Sequence, residues 1–470
     1  MGLSRSPGTR SAVVSIPLRR MAIAAAAGLA LTVPGNMARA EPALPVGLTD
    51  AVERDLGLTA GEYLRRADLG QRVAGFAADA RQRYPLAFAG AWLDGATPVA
   101  ALTPDEGADA ARRAARAAGF EVRAVERSEV ELGREKSAFE GWLAEQPGTV
   151  AEAVHGVGID VVGNRIVVRV ERAGVAMPPF VSPDSVVVQA RPVAAPLAPT
   201  GSAGLGSTGP LPETGPAPET TPGAEDYWRN TPRTPSGSVA AADPYVAVAG
   251  STGAHCSFGF HGADSGGGPV NITAGHCDPA PAAAGTDTAA GVYEWIPGRP
   301  YGERLGGFRR SVFGGRDYAV VAIADGARDR LANNEVRVPG EGSLRVDGVA
   351  TPVVGAPICK SGATTGFTCG VVREVDVTSR VSDQHRRTPA VELTGLFRTN
   401  ACALPGDSGG PVLTGTKALG ISSNVPSVNL ALCPVREPIT AGSADFGPGL
   451  IAQPVAAVLD ENPGLSLRTG

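Results

Sequence analysis

The run Gly406-Asp407-Ser408-Gly409-Gly410-Pro411 has the sharpest chemical content in the sequence. A serine hydroxyl is a weak nucleophile until a base takes its proton, and its attack on a carbonyl needs donors for the oxyanion that develops. Glycines around Ser408 permit a tight backbone that would aim the N–H groups of Gly406 and Ser408 at one point. Thr273-Ala274-Gly275-His276-Cys277 offers the base, because His276 abuts a cysteine able to fix its backbone. His155 lies in the front half, and His255, His261 and His385 have no comparable surroundings. Asp317 opens Asp317-Tyr318-Ala319-Val320-Val321, an acid followed directly by an apolar strand. A carboxylate there could fix the imidazole tautomer and stabilise its cation. Asp325 and Asp329 are its nearest rivals and lie in a polar, loop-like stretch that reads as solvated. Taken alone, the Ser408 motif could be a glycine-rich turn with an incidental serine. The accompanying base and acid point instead to acyl transfer, with no metal or organic cofactor required.

Positioning three groups so far apart in sequence needs a rigid frame. Residues 239–470 carry short β-like runs between glycine-rich turns, as in Tyr318 to Ile323, Val371 to Val377 and Ala418 to Ser422. That spacing suggests an all-β barrel or sandwich, closed by a helix over Pro454 to Asp460. All six cysteines (Cys256, Cys277, Cys359, Cys369, Cys402, Cys433) fall in this half. Three disulfides are the default for an exported chain, with fifteen pairings open in principle, and no Cys-x-x-Cys or clustered histidine spacing points to a metal.

The front is different. Residues 1–40 read as an export signal: Arg19-Arg20, an apolar run from Met21 to Val33 too short to span a bilayer, and a small-x-small Ala38-Arg39-Ala40. Residues 41–190 mix helix and strand signals. Thr103-Pro104-Asp105-Glu106 predicts a capping box with Gly119 closing its helix, and Ser128 to Glu131 predicts a second box. Phe120 to Val125 reads as a strand, and Ile159 to Val162, Gly163-Asn164 and Ile166 to Val170 as a hairpin. Residues 191–238, rich in Pro, Gly, Ser and Thr, form a linker. Within it, Leu211-Pro212-Glu213-Thr214-Gly215 matches a wall-sorting pentapeptide, but about 255 residues follow it where a sorting signal needs a terminal apolar tail and basic end, so a chance match in a Pro-rich linker is the better reading. Asn271-Ile272-Thr273 is a formal glycosylation sequon inside an apparent strand and is discounted.

Composition sets the outer bounds. With 470 residues, 43% apolar and 19% charged, the chain can bury a core, and a net charge of −5 excludes a basic nucleic-acid footprint. No later segment approaches a membrane span, so a soluble, extracellular product is expected.

The order His276, Asp317, Ser408 resembles the chymotrypsin-fold serine proteases, and more closely their bacterial α-lytic protease and streptogrisin branch. Thr-Ala-Gly-His-Cys, the run from Cys359-Lys360-Ser361-Gly362 through Thr365-Gly366 to Cys369-Gly370, Cys402-Ala403-Leu404-Pro405 and a region between signal and protease carry that match. The resemblance implies two six-stranded antiparallel β-barrels with the triad between them, and the disulfides Cys256–Cys277, Cys359–Cys369 and Cys402–Cys433. It implies an ion pair between Lys360 and Asp407, with lysine in place of the family's usual arginine. It also implies that 41–190 is a pro-region acting as folding template and inhibitor, ahead of a protease domain over 239–470. Where trypsin-like relatives carry a pocket aspartate, this chain has Cys402, and the neighbouring wall residue is Ala403. The opposite wall reads Ser423-Asn424-Val425 instead of Ser-Gly-Gly, which narrows the pocket toward small or medium apolar side chains. The expectation is a secreted, monomeric serine endopeptidase made as a proenzyme, acting on proteins or peptides. The alternatives are a catalytically inactive peptide-binding module on the same barrels, and a wall-anchored surface protein.

Overall fold

Two closed or nearly closed sheets carry the back half, and the front half packs on one of them. The structure is a computed structural model that describes residues 44–189, 191–194, 237–296, 299–340, 342–383, 390–425 and 449–469. The expected export signal, most of the linker with its sorting-like pentapeptide, His385 and Cys433 lie outside the described residues.

The front region opens with helices α1 (Val46–Leu56) and α2 (Ala60–Arg83). Thr59 caps α2 by accepting the Glu62 N–H. Strands β1 (Phe88–Asp94), β2 (Thr97–Leu102) and β3 (Glu121–Ala124) form a small sheet, with helix α3 (Ala108–Ala117) between the last two. The capping box expected at Thr103 does not form: α3 starts after Gly107 at φ 87°, with no side-chain cap. Thr103 instead donates its hydroxyl to Leu86 O and Asp105, so its oxygen closes a turn. The second box forms as a reciprocal Ser128–Glu131 pair at the start of α4 (Glu129–Ala144). Next come β4 (Val154–Asp160) and β5 (Arg165–Val170), whose turn places Asn164 at φ 52°, then β6 (Val186–Val188) and β7 (Val193–Ala194).

The back region begins with β8 (Pro244–Ala249), β9 (Thr252–Ser257), β10 (Phe260–Ala263), β11 (Pro269–Thr273), β12 (Gly291–Glu294), β13 (Arg304–Gly314) and β14 (Arg316–Ile323). With β24 (Ser466–Leu467) from the far end of the chain, these form one sheet in the order β24-β10-β11-β14-β13-β12-β8-β9, two strands more than the expected six. Phe258, Ile272, Phe308, Tyr318 and Val321 fill it. After the short strands β15 (Glu335–Arg337), β16 (Ser343–Arg345) and β17 (Gly348–Val349), the second barrel uses β18 (Pro357–Gly362), β19 (Gly366–Asp383), β20 (Val391–Thr399), β21 (Pro411–Thr414), β22 (Lys417–Asn424) and β23 (Leu450–Pro454). Their order β18-β21-β22-β23-β20-β19, closed by β18 pairing β19, is a six-stranded barrel. Helix α5 (Val455–Asp460) follows it and buries Val455 and Val458. The chain thus has a chymotrypsin-like all-β back half behind a region of helices and strands.

The front hairpin does not stay with the front sheet. β4 pairs antiparallel with the long β19, matching Ile159 to Val375 and Val157 to Thr378, so β4, β5 and β6 extend the second barrel's sheet. Beneath this seam, Arg169 pairs with Glu374, both almost wholly buried. Tyr63 of α2 accepts the Gly415 N–H at 3.0 Å, and Asp55 of α1 accepts the Cys369 N–H at 2.8 Å.

Candidate active site

His276 sits in a single helical turn, Gly275–Cys277, just past β11. Glycine is required before it, because a Cβ on Gly275 would lie 1.9 Å from Val312 O. Cys277 is bonded to Cys256 of β9, anchoring the turn. Both thiols are engaged in that bond, so the sulfurs beside His276 are no metal ligand set. Asp317, at the start of β14, is fully buried. Its carboxylate meets His276 Nδ1 at 2.8 Å and accepts the His276 N–H at 3.0 Å, so one acid fixes both ring and backbone. Ser423 Oγ donates to it at 2.5 Å, and Gln453 Oε1 accepts the Asp317 N–H at 3.2 Å. Burial alone would raise the Asp317 carboxyl, but the charge on His276 and these hydrogen bonds hold it below the usual carboxylate range.

Ser408 comes from the second barrel, in the loop before β21. Gly409 has φ 81°, and a Cβ there would lie 1.9 Å from Thr273 Oγ1, so the loop packs against the strand leading to His276. Within the loop, the N–H groups of Asp407, Gly409 and Gly410 donate to Leu404, Ser422 and Asp407 carbonyls. Those of Gly406 and Ser408 donate to no other group among the described residues. Asp407 is caged: it accepts from Lys360 Nζ at 2.9 Å, from the N–H groups of Thr364, Thr365 and Leu404, and from the Thr365 hydroxyl. Lys360 is wholly buried; burial pushes its ammonium below the usual range, and the Asp407 charge opposes that. Cys359, its neighbour, is bonded to Cys369. Cys402 is disulfide-bonded, and its expected partner Cys433 lies outside the described residues.

The other histidines sit apart from this geometry. His261 contacts Val239 O and Asn271, His155 contacts Gln189 O, and His255 stacks on Trp295. Asp325 is exposed and pairs with Arg328. Asn271 of the sequon is buried and donates to Gly259 O. His276 Nε2 is buried and has no hydrogen-bond partner among the described residues, which leaves it open to take a proton. Beside Ser408 a pocket is lined by Ala403, Val425 and Leu450 together with Ser422, Ser423 and Asn424.

Sequence reasoning missed three positioning residues. Gln453 braces Asp317 from β23. Ser257 donates to Gly406 O at 2.8 Å and accepts the Ala363 N–H, tying the Ser408 loop to the β18 end. Phe313 lies against the His276 ring at 5.8 Å. No local pattern marks them, because each acts across a barrel or from the neighbouring hairpin.

The family model described as Trypsin matches residues 270–434. Streptogrisin-C of Streptomyces griseus is 28% identical over 419 residues, covering 87% of this chain and 76% of its own, so the match reaches into the front region. Glutamyl endopeptidase 2 of the same organism is 31% identical over 196 residues, covering 42% of this chain and 92% of its own. A solved chymotrypsin of Cellulomonas bogoriensis is 30% identical and covers 50% of this chain and 100% of its own, with a TM-score of 0.35. A chymotrypsin-like back half and a relative matched over nearly its whole length lead to one assignment: the chain belongs to the trypsin-like serine endopeptidases, in the bacterial α-lytic protease and streptogrisin branch.

Proposed function

We propose that the chain is the precursor of an exported serine endopeptidase whose triad is His276, Asp317 and Ser408. The observation that carries this reading is the buried Asp317 carboxylate, which orients His276 through Nδ1 and leaves Nε2 without a partner, in an enzyme whose Ser408 loop packs on the strand before His276. In this reading Ser408 Oγ attacks the peptide carbonyl carbon while His276 Nε2 takes its proton. The Gly406 and Ser408 N–H groups receive the oxyanion, and collapse of the tetrahedral species expels the amine, protonated by His276. Water, deprotonated by His276, then hydrolyses the acyl-enzyme. Asp317 stays ionised throughout and stabilises the imidazolium.

Residues 41–190 act as a pro-region and 239–470 as the protease domain. The support is the β4–β19 ladder and the helix contacts at Tyr63 and Asp55, all of which place front residues on the second barrel. Barrels of high contact order fold slowly, which gives such a template a physical role. Ala403, Val425 and Leu450 favour a small or medium apolar side chain before the scissile bond. Export to the extracellular space is supported by the signal-like residues 1–40.

The test is expression of the wild-type chain beside Ser408→Ala. Wild type is expected to be cut in 225–250 and to label with a fluorophosphonate, and Ser408→Ala to accumulate as unlabelled precursor. Equal processing of both assigns maturation to another protease, and an unlabelled processed wild type returns the chain to the inactive binding module.

A further inference from the structure

Beyond the small apolar lining, the pocket beside Ser408 contains one polar side chain, apart from Ser408 itself, with no partner among the described residues. Four other polar side chains line it, and each has work elsewhere. Asp407 is caged by Lys360 and the Thr364–Thr365 turn. Ser423 donates to Asp317 and accepts from Asn424. Asn424 holds Ser423 at 3.1 Å and Ser379 at 3.5 Å. Ser408 is the proposed nucleophile. That leaves Ser422, wholly buried, whose hydroxyl has no hydrogen-bond partner among the described residues.

The position of Ser422 is fixed from both sides. Its carbonyl accepts the Gly409 N–H at 2.8 Å, and its own N–H donates to Gly410 O at 2.9 Å. The backbone that carries the hydroxyl is therefore bonded directly to the Ser408 loop. A register shift between Ser422 and Asn424 breaks the regular alternation of β22 at this point. A buried hydroxyl without a partner is unfavourable, and a bound group that pairs with it recovers that loss. A site with such a group discriminates between isosteric side chains that do and do not hydrogen-bond.

We propose that Ser422 is a specificity-determining residue that reads a hydroxyl on the substrate side chain preceding the scissile bond. The size limit set by Ala403, Val425 and Leu450 stands, and within it the class of substrate is a peptide with threonine or serine at that position, selected over the apolar valine or alanine that the lining by itself would favour. Rings and long chains are excluded by Val425 and Leu450, and charged side chains find no counter-ion among the described residues, where the Asp407 carboxylate is already paired. This inference rests on the proposed triad and deepens it.

The test uses mature enzyme quantified by fluorophosphonate titration and peptide p-nitroanilides differing only in that residue: Thr, Val, Ser and Ala. In Ser422→Ala the Thr:Val ratio of kcat/KM is expected to fall about tenfold, the scale of one hydrogen bond to a buried partner. Ser422→Thr, which keeps a hydroxyl, is expected to retain the wild-type preference. A uniform loss on all four substrates, with the ratio unchanged, would mean that Ser422 is merely structural and would overturn the inference while leaving the triad standing. Failure of the wild-type protein both to label and to cleave any of the four would overturn the proposed function and this inference together.

Discussion

Replacing Lys360 with methionine tests how the Ser408 loop is held. The substitution removes the ammonium 2.9 Å from Asp407 and leaves a side chain of similar length in a wholly buried site. Breaking a buried pair by deleting one partner destabilises by roughly 3–5 kcal/mol, because the other charge stays buried. Asp407 keeps the N–H groups of Thr364, Thr365 and Leu404 and the Thr365 hydroxyl, so the loss belongs near the lower end, about 3 kcal/mol. Those donors are also why the loop should deform and not unfold: Asp407 shares its backbone with the Gly406 and Ser408 N–H groups, and a shift of the carboxylate moves both. Urea unfolding of the Ser408→Ala chain, with and without Lys360→Met, measures the stability term free of self-digestion. Mature enzyme carrying Lys360→Met is expected to lose at least about tenfold in kcat, as removal of oxyanion donors does. Adding Asp407→Asn should recover most of the lost stability by removing the uncompensated charge. A loss below about 1 kcal/mol, or a double variant no more stable than the single, would refute the argument.

Val425→Gly should widen the pocket and raise kcat/KM for phenylalanine relative to valine before the scissile bond; no widening in the p-nitroanilide series would show that the valine does not bound it. Ser423→Ala removes a donor from Asp317, and a rise in the lower pKa of the kcat/KM profile together with reduced kcat is expected; an unchanged profile denies it a positioning role. His155, His255 and His261 are each pushed down to about 4 by burial, so they stay neutral in the fold and take up protons on unfolding. Stability is therefore fully present above about pH 6.5 and falls as pH drops toward 4, by up to about 3 kcal/mol per histidine; a flat urea midpoint from pH 7 to pH 4.5 in the Ser408→Ala chain would contradict this. Glu374→Gln should speed loss of the front region during maturation, whereas Arg169→Met with Glu374→Leu should slow it, and equal active-site titration time courses for the two would refute the role given to that pair.

The sites with local chemistry were readable from sequence, and the sites made by distant pairing were not. Thr-Ala-Gly-His-Cys announces itself because the glycine needed under the Val312 carbonyl and the cysteine that anchors the turn both adjoin His276 in sequence. The Ser128 box was legible for the same reason: donor and acceptor lie three residues apart. Thr103 carried the same letters and failed, since its hydroxyl found Leu86 O across a turn and α3 began instead at Gly107. The hairpin of β4 and β5 was visible, but its pairing with β19 was not, because an edge strand's partner leaves no mark in its own alternation. Ser422 was hidden by the bulge: a wall read as Ser423-Asn424-Val425, with Ser423 behind Asp317, gives no hint that the residue before it also lines the pocket.

The seam between front and back differs in kind from the bonds that hold the site. Cys256–Cys277 and Cys359–Cys369 close short loops inside the back half, each contributing roughly 3 kcal/mol on a chain-entropy model, and both lie beside residues of the site. No described disulfide crosses to the front, which has no cysteine to offer. What crosses is a backbone ladder between β4 and β19, side-chain hydrogen bonds at Tyr63 and Asp55, the buried Arg169–Glu374 pair, and shared apolar clusters in which Leu48, Val52 and Leu56 pack with Leu344, Phe367 and Leu413, and Val73 and Leu93 with Val353 and Ala356. Ladder groups recover hydrogen bonds from water on separation, and buried ions recover hydration that their mutual attraction only about balances. The ladder and the ion pair specify register, since a slip would strand Arg169 and Glu374 without each other, while the shared apolar clusters supply most of the adhesion between the two parts. Covalent closure around the site, with non-covalent contacts alone described at the seam, thus allows one part to persist after the other has gone.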